Sequence, residues 1–557
     1  MKKMIWFAFL VITQSINAQW VNDPLNNTII NNNEGTHMLP KVTVNPDGSY
    51  YFSWYGGVDN VNMNLAYFNH EGQNLWTDNA FLVSNHPQNG WVDDYVLLSD
   101  SDGNAIIVFS DIRQNSTKNV VAYKISNQGE QLWGEDGILF SVSNSDDYTP
   151  KAAILSNNNL YISCYTSYTN GFNSEIKLYK LDENGNKLWG ESGKTFSSEE
   201  SLVFPEIFVN EDGGFSLAYY KETGSFPAIT RELAMMRFDA DGEQLWDNPA
   251  IVTNAGGISS WDVIKLKKDL NGGAYFVWND DRYNDMIPES YAQHVDGNGE
   301  TQWEENGVLI STLQNTFHLY GIPVGVNEAG DFIVLWNKLN STQSQGALMY
   351  QRISPAGERL ETDYGKTVIS MTPQMQNGFF AMQNHDTSFF FYSFFLPGSM
   401  YLTSHNVLAL DAQGEMLWEN PTELCTSEIP RNHPSTTGFY ENQTVVVWSD
   451  TQDGEERIMA QNIFIDGKMG TSTVGIDNIL SKDSKQYFTH FKASTNTVYL
   501  KNIENNDVIT IYNMDGKIIL RTSAKPELTV NLASKGLYIG RLSRNGESLE
   551  NFKILNN

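Results

Sequence analysis

Short runs rich in β-branched and aromatic residues alternate along most of this chain with clusters of Gly, Asn, Asp and Ser. In the first unit the runs 41–45, 49–55, 64–69 and 73–84 are bounded by such clusters, which predicts four strands. The turn after the first run is Asn-Pro-Asp-Gly at 45–48, with counterparts at 101–104, 211–214 and 270–273. Their Asp-Gly and Asn-Gly pairs supply the positive φ angles that tight hairpins need. A later turn in each unit carries the phrase Asp-x-x-Gly-x-x-Leu-Trp, cleanest at Asp182 to Trp189 and Asp411 to Trp418.

The glycine of that phrase recurs at Gly72, Gly129, Gly185, Gly242, Gly299, Gly357, Gly414 and Gly467, with gaps of 57, 56, 57, 57, 58, 57 and 53 residues. A period of this size marks a repeat architecture. One four-stranded antiparallel unit cannot bury both of its faces, so eight in series predict an all-β chain folded as an eight-bladed β-propeller over residues 19–474. The last copy stops at Gly467 without its Leu-Trp strand. Trp20 followed by Thr28–Ile30 matches Trp76 followed by Phe81–Val83, 56 residues later, so the N-terminal strand is expected to close the ring. A second column recurs in the second strands, at Trp54, Phe109, Cys164, Tyr219, Trp278, Trp336, Phe394 and Trp448. It is expected to pack blade against blade. Cys164 occupies one of these core slots and Cys425 ends an outer strand, too far apart in the ring for a disulfide.

Lys2 and Lys3 precede an apolar run, Met4 to Ile12, and a polar stretch ending at Ala18, which predicts a secretory signal peptide over residues 1–18. No other segment has the length of a transmembrane span. The formal charge is −30. Residues 475–557 carry 11 Lys and Arg against 8 Asp and Glu, so the acidity belongs to the repeats. Such a surface excludes nucleic acid and anionic membrane as partners.

The segment Asn406 to Trp418 resembles the tryptophan-docking repeat of quinoprotein-type propellers. The resemblance implies blade geometry, commonly eight blades, and in some members pyrroloquinoline quinone. Here the Asp-to-Gly spacing is one residue shorter, the usual Thr or Ser before the glycine is absent, and Glu361 replaces Trp in the sixth repeat. No adjacent cysteine pair is present, so the quinone is not predicted, and neither is any other cofactor. Beyond the repeats, residues 475–557 read as short strands with turns at Asn505-Asn506, Asp515-Gly516 and Asn545-Gly546, which predicts a small Ig-like β-sandwich. Ile509 to Ile519 with Leu528 to Ile539 resembles the C-terminal type A sorting domain of the type IX secretion system. That resemblance implies the type IX machinery as a partner, passage from the periplasm across the outer membrane, and a final place outside the cell or on the outer-membrane surface.

Candidate chemistry is sparse. The nine histidines have no spacing that reads as a zinc site, and no nucleophile elbow or phosphate-binding glycine loop occurs. Asp100–Gly103 and Asp239–Gly242 could take calcium, but they lack the remaining oxygen ligands of a twelve-residue loop and read as hairpin geometry; no metal site is predicted. Function is expected on the face bearing the loops between second and third strands and between blades. There Asp111, Asp280 and Asp450 follow the aromatic column, with Arg113 and Arg282 two residues after the first two. The inter-blade loops add Trp91, Tyr148, Phe204, Trp261, His318, Tyr320, Arg431 and His433. Aromatic platforms among carboxylates and guanidinium groups suit sugar rings, while Asp-x-Arg equally suits bracing of its own loop, the preferred reading. The expectation is a secreted or surface binding protein for an extracellular glycan or protein. The competing class is a polysaccharide lyase or glycoside hydrolase, which would need a deep pocket of converged acids and bases.

Overall fold

The computed structural model describes residues 20–76, 80–86, 94–113, 117–140, 145–168, 174–224, 228–260, 262–269, 271–312, 317–373, 376–395, 402–452, 454–470, 488–492, 496–513, 518–530, 532, 536–544 and 547–556. Among them there are strands and turns and no helix, so none that could cross a membrane. The signal-peptide segment lies outside the described residues. The chain divides into two compact units, Met1–Thr471 and Ser472–Asn557.

The first unit is all-β and built of propeller blades. Six separate sheets each contain four consecutive antiparallel strands; in the first these are Thr36–Val44, Tyr50–Gly57, Asn62–Phe68 and Phe81–Ser84. The fourth strand is shorter than the sequence pattern predicts, because the Leu-Trp phrase belongs to the turn. Leu75 N donates to Tyr67 O at 2.8 Å, and the chain then swings outward to aim Trp76 at the next repeat. Repeats seven and eight share a seven-stranded sheet, since Thr422–Thr436 runs through both. Its start pairs with Leu402–Leu410 and its end with Gln443–Gln452. Thr28–Asn31 lies antiparallel to Glu455–Phe464, with Thr28 opposite Ala460.

The recurring phrase has a physical cause at each position. Its Asp caps its own turn: Asp182 Oδ1 accepts from Asn184 N at 2.9 Å and Asn186 N at 2.8 Å, and Asp411 Oδ1 accepts from Gln413 N and Glu415 N at 2.9 Å each. Its Gly sits at φ near +80° and receives the Trp of the preceding repeat; a Cβ at Gly242 would stand 2.9 Å from Trp189, and one at Gly467 2.9 Å from Trp418. The indoles donate to backbone carbonyls of the next repeat, Trp20 to His70 O at 2.7 Å and Trp76 to Asn127 O at 2.9 Å. In the sixth repeat Glu361 instead pairs with Arg352 at 2.8 Å, and Tyr350 packs against Gly414.

Eight apolar clusters fill the spaces between successive repeats. Each takes one member of the aromatic column, from Trp54 between repeats eight and one to Trp448 between seven and eight, with Phe394 at the margin of its cluster. Cys164 and Cys425 are free and buried, and burial raises the Cys425 thiol to about 12.

The second unit has a three-stranded sheet, Phe488–Lys492, Thr497–Leu500 and Glu527–Thr529, and a four-stranded one, Ile518–Ser523, Asp507–Asn513, Gly536–Arg544 and Glu547–Asn556. Val498 and Leu500 from the first join Ile509, Ile511, Tyr538, Leu542 and Ile554 from the second in one core. Arg544 grips Asp507 at 2.7 and 3.0 Å, which holds that carboxyl below its usual range. The predicted turns at Asp515-Gly516 and Asn545-Gly546 lie outside the described residues.

Candidate functional site

The loop-mouth carboxylates are each held by an arginine. Asp111, fully buried, receives Arg113 Nε at 2.8 Å and Nη2 at 2.9 Å; the same guanidinium donates to Tyr123 Oη at 2.8 Å and to Asp136 O at 2.5 Å. Asp280 repeats the pattern: Arg282 Nε donates to it at 2.8 Å and Nη2 at 2.7 Å, and the Trp278 indole donates at 2.8 Å. The Arg282 guanidinium lies 3.4 Å over the Tyr291 ring. In the eighth repeat the partner comes from the neighbouring strand, with Arg457 donating to Asp450 at 3.0 and 3.2 Å. Asp-x-Arg therefore ties a strand end to its own blade.

The other predicted residues are dispersed. Tyr148 stacks on Tyr165 with centroids 5.5 Å apart and donates to Asp146 at 3.1 Å. Arg431 is buried and donates to the carbonyls of Thr403 and Ile429. Phe204 lies under the Arg231 guanidinium at 4.9 Å. His433 is exposed, and His318 and Tyr320 lie in Phe317–Val326, where the backbone of His318 is opposite Lys338. Trp91 and Trp261 fall outside the described residues.

What the sequence reading missed is the inner wall formed by the first strands. Four of them carry a bulge at an X-Pro step, with Leu39, Thr149, Phe204 and His433 at φ of 51°, 46°, 52° and 52° and a register shift at each. A left-handed non-glycine residue costs about 1–3 kcal/mol and persists where its surroundings enforce it. The proline that follows has no N–H to leave unpaired, and the bulge re-aims the next side chain. That side chain is Lys41, Lys151, Glu206 or Ser435, and all four line one cavity of about 290 Å³ together with Asp94 and Tyr95. The signal was legible: a polar residue directly after an X-Pro step in register with the repeats, charged in three of the four.

The charges on this wall alternate. Lys41 Nζ meets Asp94 at 2.6 Å, Lys151 Nζ meets Asp94 at 3.2 Å, and Lys151 also meets Glu206 at 2.7 Å. Burial works to raise the Asp94 carboxyl, yet Lys41 and Lys151 hold it well below the usual carboxylate range. Burial likewise works against the Lys151 ammonium, which Glu206 and Asp94 keep above its ordinary value. In the fifth repeat, burial raises Asp262 and lowers Lys265, whose charges stand 4.0 Å apart. The wall can thus offer both donors and acceptors to a polar ligand. A second cavity of about 440 Å³ opens among the Asp-Gly hairpins of repeats three to five, lined by Leu155, Lys180, Asn210, Glu211, Lys268 and Asp269 among others. Among the described residues no group of three or more His, Cys, Asp or Glu is placed to hold a metal ion.

In sequence the chain matches no family model and no curated protein. In structure it is similar to a polysaccharide lyase of family PL25, an ulvan lyase bound to -[GlcA(1-4)Rha3S]-, at 11% identity and TM-score 0.41 over 82% of this chain and 97% of that one. It is similar to the Dos1 propeller at 12% identity and TM-score 0.45, over 78% and 94% of the two chains. A third similar structure is the β-propeller domain of the Trilobed protease from Pyrococcus furiosus, at 11% identity and TM-score 0.35, over 71% and 100%.

Proposed function

We propose that the chain is an exported eight-bladed propeller, closed by its N-terminal strand and followed by an Ig-like sandwich that the type IX secretion machinery recognises. It acts outside the cell or on its surface as a binding protein for an extracellular glycan or protein. The eight inter-repeat clusters support the blade number, and the ladder between Thr28–Asn31 and Glu455–Phe464 supports closure. The separate core of Ser472–Asn557 supports a detachable export domain.

The observation that carries binding over catalysis is the state of the loop-mouth carboxylates. Asp111, Asp280 and Asp450 each engage an arginine with both oxygens, which suits them to bracing and not to proton transfer. The polar inner wall favours a hydroxyl-rich ligand. The test passes the full chain over immobilised extracellular polysaccharides and assays the same polymers for new unsaturated or reducing ends. Retention without cleavage is the expected result; cleavage places the protein with lyases or hydrolases and overturns the reading. For export, a chain lacking residues 475–557 should accumulate in the periplasm, and its appearance in the medium at the level of the full chain contradicts the role given to that domain.

A further inference from the structure

The docks between repeats are not equally tight. At six of them, those of Trp20, Trp133, Trp189, Trp246, Trp303 and Trp418, a Cβ added to the receiving glycine would stand 2.6–2.9 Å from the indole. At Gly129 the nearest atom of Trp76 would be 3.9 Å away and the nearest atom of Phe81 3.8 Å. Trp76 thus stands clear of its glycine where the others press against theirs. Its anchor is intact: Nε1 donates to Asn127 O at 2.9 Å, and the ring packs among Tyr51, Tyr67 and Phe81 with centroids 5.7–6.1 Å away.

A cavity of about 470 Å³ opens at this dock, a size within the range of small-molecule sites. Leu75, Trp76, Phe81, Asn127, Gln128 and Gly129 line it, and Leu75 and Gln128 are exposed at its rim. None of the described lining residues is ionisable, in a chain whose formal charge is −30, so a charged ligand finds no counter-charge here. The two aromatic rings and Leu75 make one part apolar. Asn127 and Gln128 make the other part polar, and each primary amide brings an acceptor oxygen and two N–H donors. Among the described residues Asn127 bonds through its backbone carbonyl and Gln128 through its backbone N–H, so a ligand can take both side-chain amides without breaking a bond in the fold. A hydroxyl donates and accepts as an amide does, and the C–H face of a pyranose matches an aromatic ring. A lipid chain would leave the amides unused; an uncharged sugar uses both parts.

We propose that Trp76, Phe81, Asn127 and Gln128 form a binding site for a neutral sugar residue at the junction of repeats one and two. The site is built from the Asp-x-x-Gly turns and the fourth strand, Phe81–Ser84, and is separate from the first-strand wall of Lys41 and Asp94. It rests on the glycan reading above for the source of its ligand, and it narrows that reading to polymers with uncharged residues. The indole is already fixed by its hydrogen bond and its ring contacts, so little ordering is lost on binding.

The test is calorimetric titration of the full chain with cellotetraose and mannotetraose as neutral probes and tetragalacturonate as the charged control. Wild-type protein should bind at least one neutral probe and not tetragalacturonate. Trp76→Ala should weaken that binding by roughly tenfold or more, Trp76→Phe by less, and Gln128→Ala by roughly two- to tenfold. Near-ultraviolet dichroism establishes that each variant is folded, and Gln128→Ala, at an exposed side chain, carries the test if Trp76→Ala is not. No neutral probe bound by wild type, tetragalacturonate bound as tightly, or affinity unchanged in folded Trp76→Ala or in Gln128→Ala overturns the site. A neutral probe bound through Trp76 by a chain that cleaves polysaccharide keeps the site and removes the reading of binding without catalysis. A polysaccharide retained equally by wild type and folded Trp76→Ala keeps the glycan reading and removes the site.

Discussion

The inner walls of repeats one to four and of repeats five to seven are made from equivalent first strands, yet their charges are arranged differently. In the first arc Lys41, Asp94, Lys151 and Glu206 alternate in sign and touch one another. Among the described residues of the second, Lys267 meets a carbonyl and no carboxylate, and Gln383 Nε2 has no hydrogen-bond partner. A charge closed on its neighbours contributes to the fold; a donor held in place without an acceptor contributes little and is costly to keep. The loop-mouth Asp-Arg pairs fall with the first arc, among the charges that brace the fold.

The first arc meets the seam between repeats eight and one, since Ser435 and Thr436 of repeat eight line the same cavity as Lys41. The largest expected effect therefore comes from deleting residues 20–31, which removes the Trp20 dock and the ladder to Ala460. The loss should exceed about 4 kcal/mol, in the range reserved for disrupted core networks, and is read as the urea midpoint; an unchanged midpoint breaks the closure account. Next in size is Asp280→Ala, which leaves the Arg282 guanidinium and the Trp278 indole without their shared acceptor. Removing one partner of a buried pair costs about 3–5 kcal/mol. A loss under about 1 kcal/mol, the scale of an exposed pair, would show that the pair does not brace.

His405 sharpens the comparison from inside the protein. It is fully buried, its Nδ1 shares a hydrogen bond of 2.7 Å with Ser393 Oγ, and its Nε2 has no partner among the described residues. Burial, with the nearby Arg431 charge, lowers its pKa to about 3. Its folded pKa lies below the unfolded value near 6.5, so the unfolded chain binds the proton first as the pH drops. Stability from this group is complete above about pH 6.5 and declines by up to about 1.4 kcal/mol per pH unit toward pH 3. Denaturation between pH 7 and 5 should show this slope, and His405→Gln should flatten it. An unaltered slope in the variant would mean that other groups set it.

Much of the fold was legible because its signals are local. The Asp-x-x-Gly phrase states its own turn, since Asp182 caps the amides two and four residues on and Gly185 takes φ of 86°. Even the Trp dock could be read, because the indole and the glycine that receives it recur in step. The site was harder for the opposite reason. Asp111 and Arg113 suited a brace of their own loop, the preferred reading, or a ligand platform, and a spacing of two does not by itself show the guanidinium folding back onto the carboxylate. Lys267 carried no signal at all, for its contact is with Ala381, more than a hundred residues away and beyond an intervening repeat. The charged residue after three of the four X-Pro bulges lay between these cases, visible as a pattern and interpretable only once Lys41, Lys151 and Glu206 were seen on one wall.

The smallest expected effect is also the most direct test of the contrast between charges closed on a counter-charge and charges without one: the urea midpoints of Lys151→Met and Lys267→Met, measured side by side in the full chain. Lys151→Met leaves Asp94 and Glu206 short of a counter-charge and should lose about 1–2 kcal/mol. Lys267→Met removes a half-buried cation that has no carboxylate partner among the described residues, and should be neutral or gain up to about 0.5 kcal/mol. Equal losses from the two variants would place Lys267 among the braces and contradict the account.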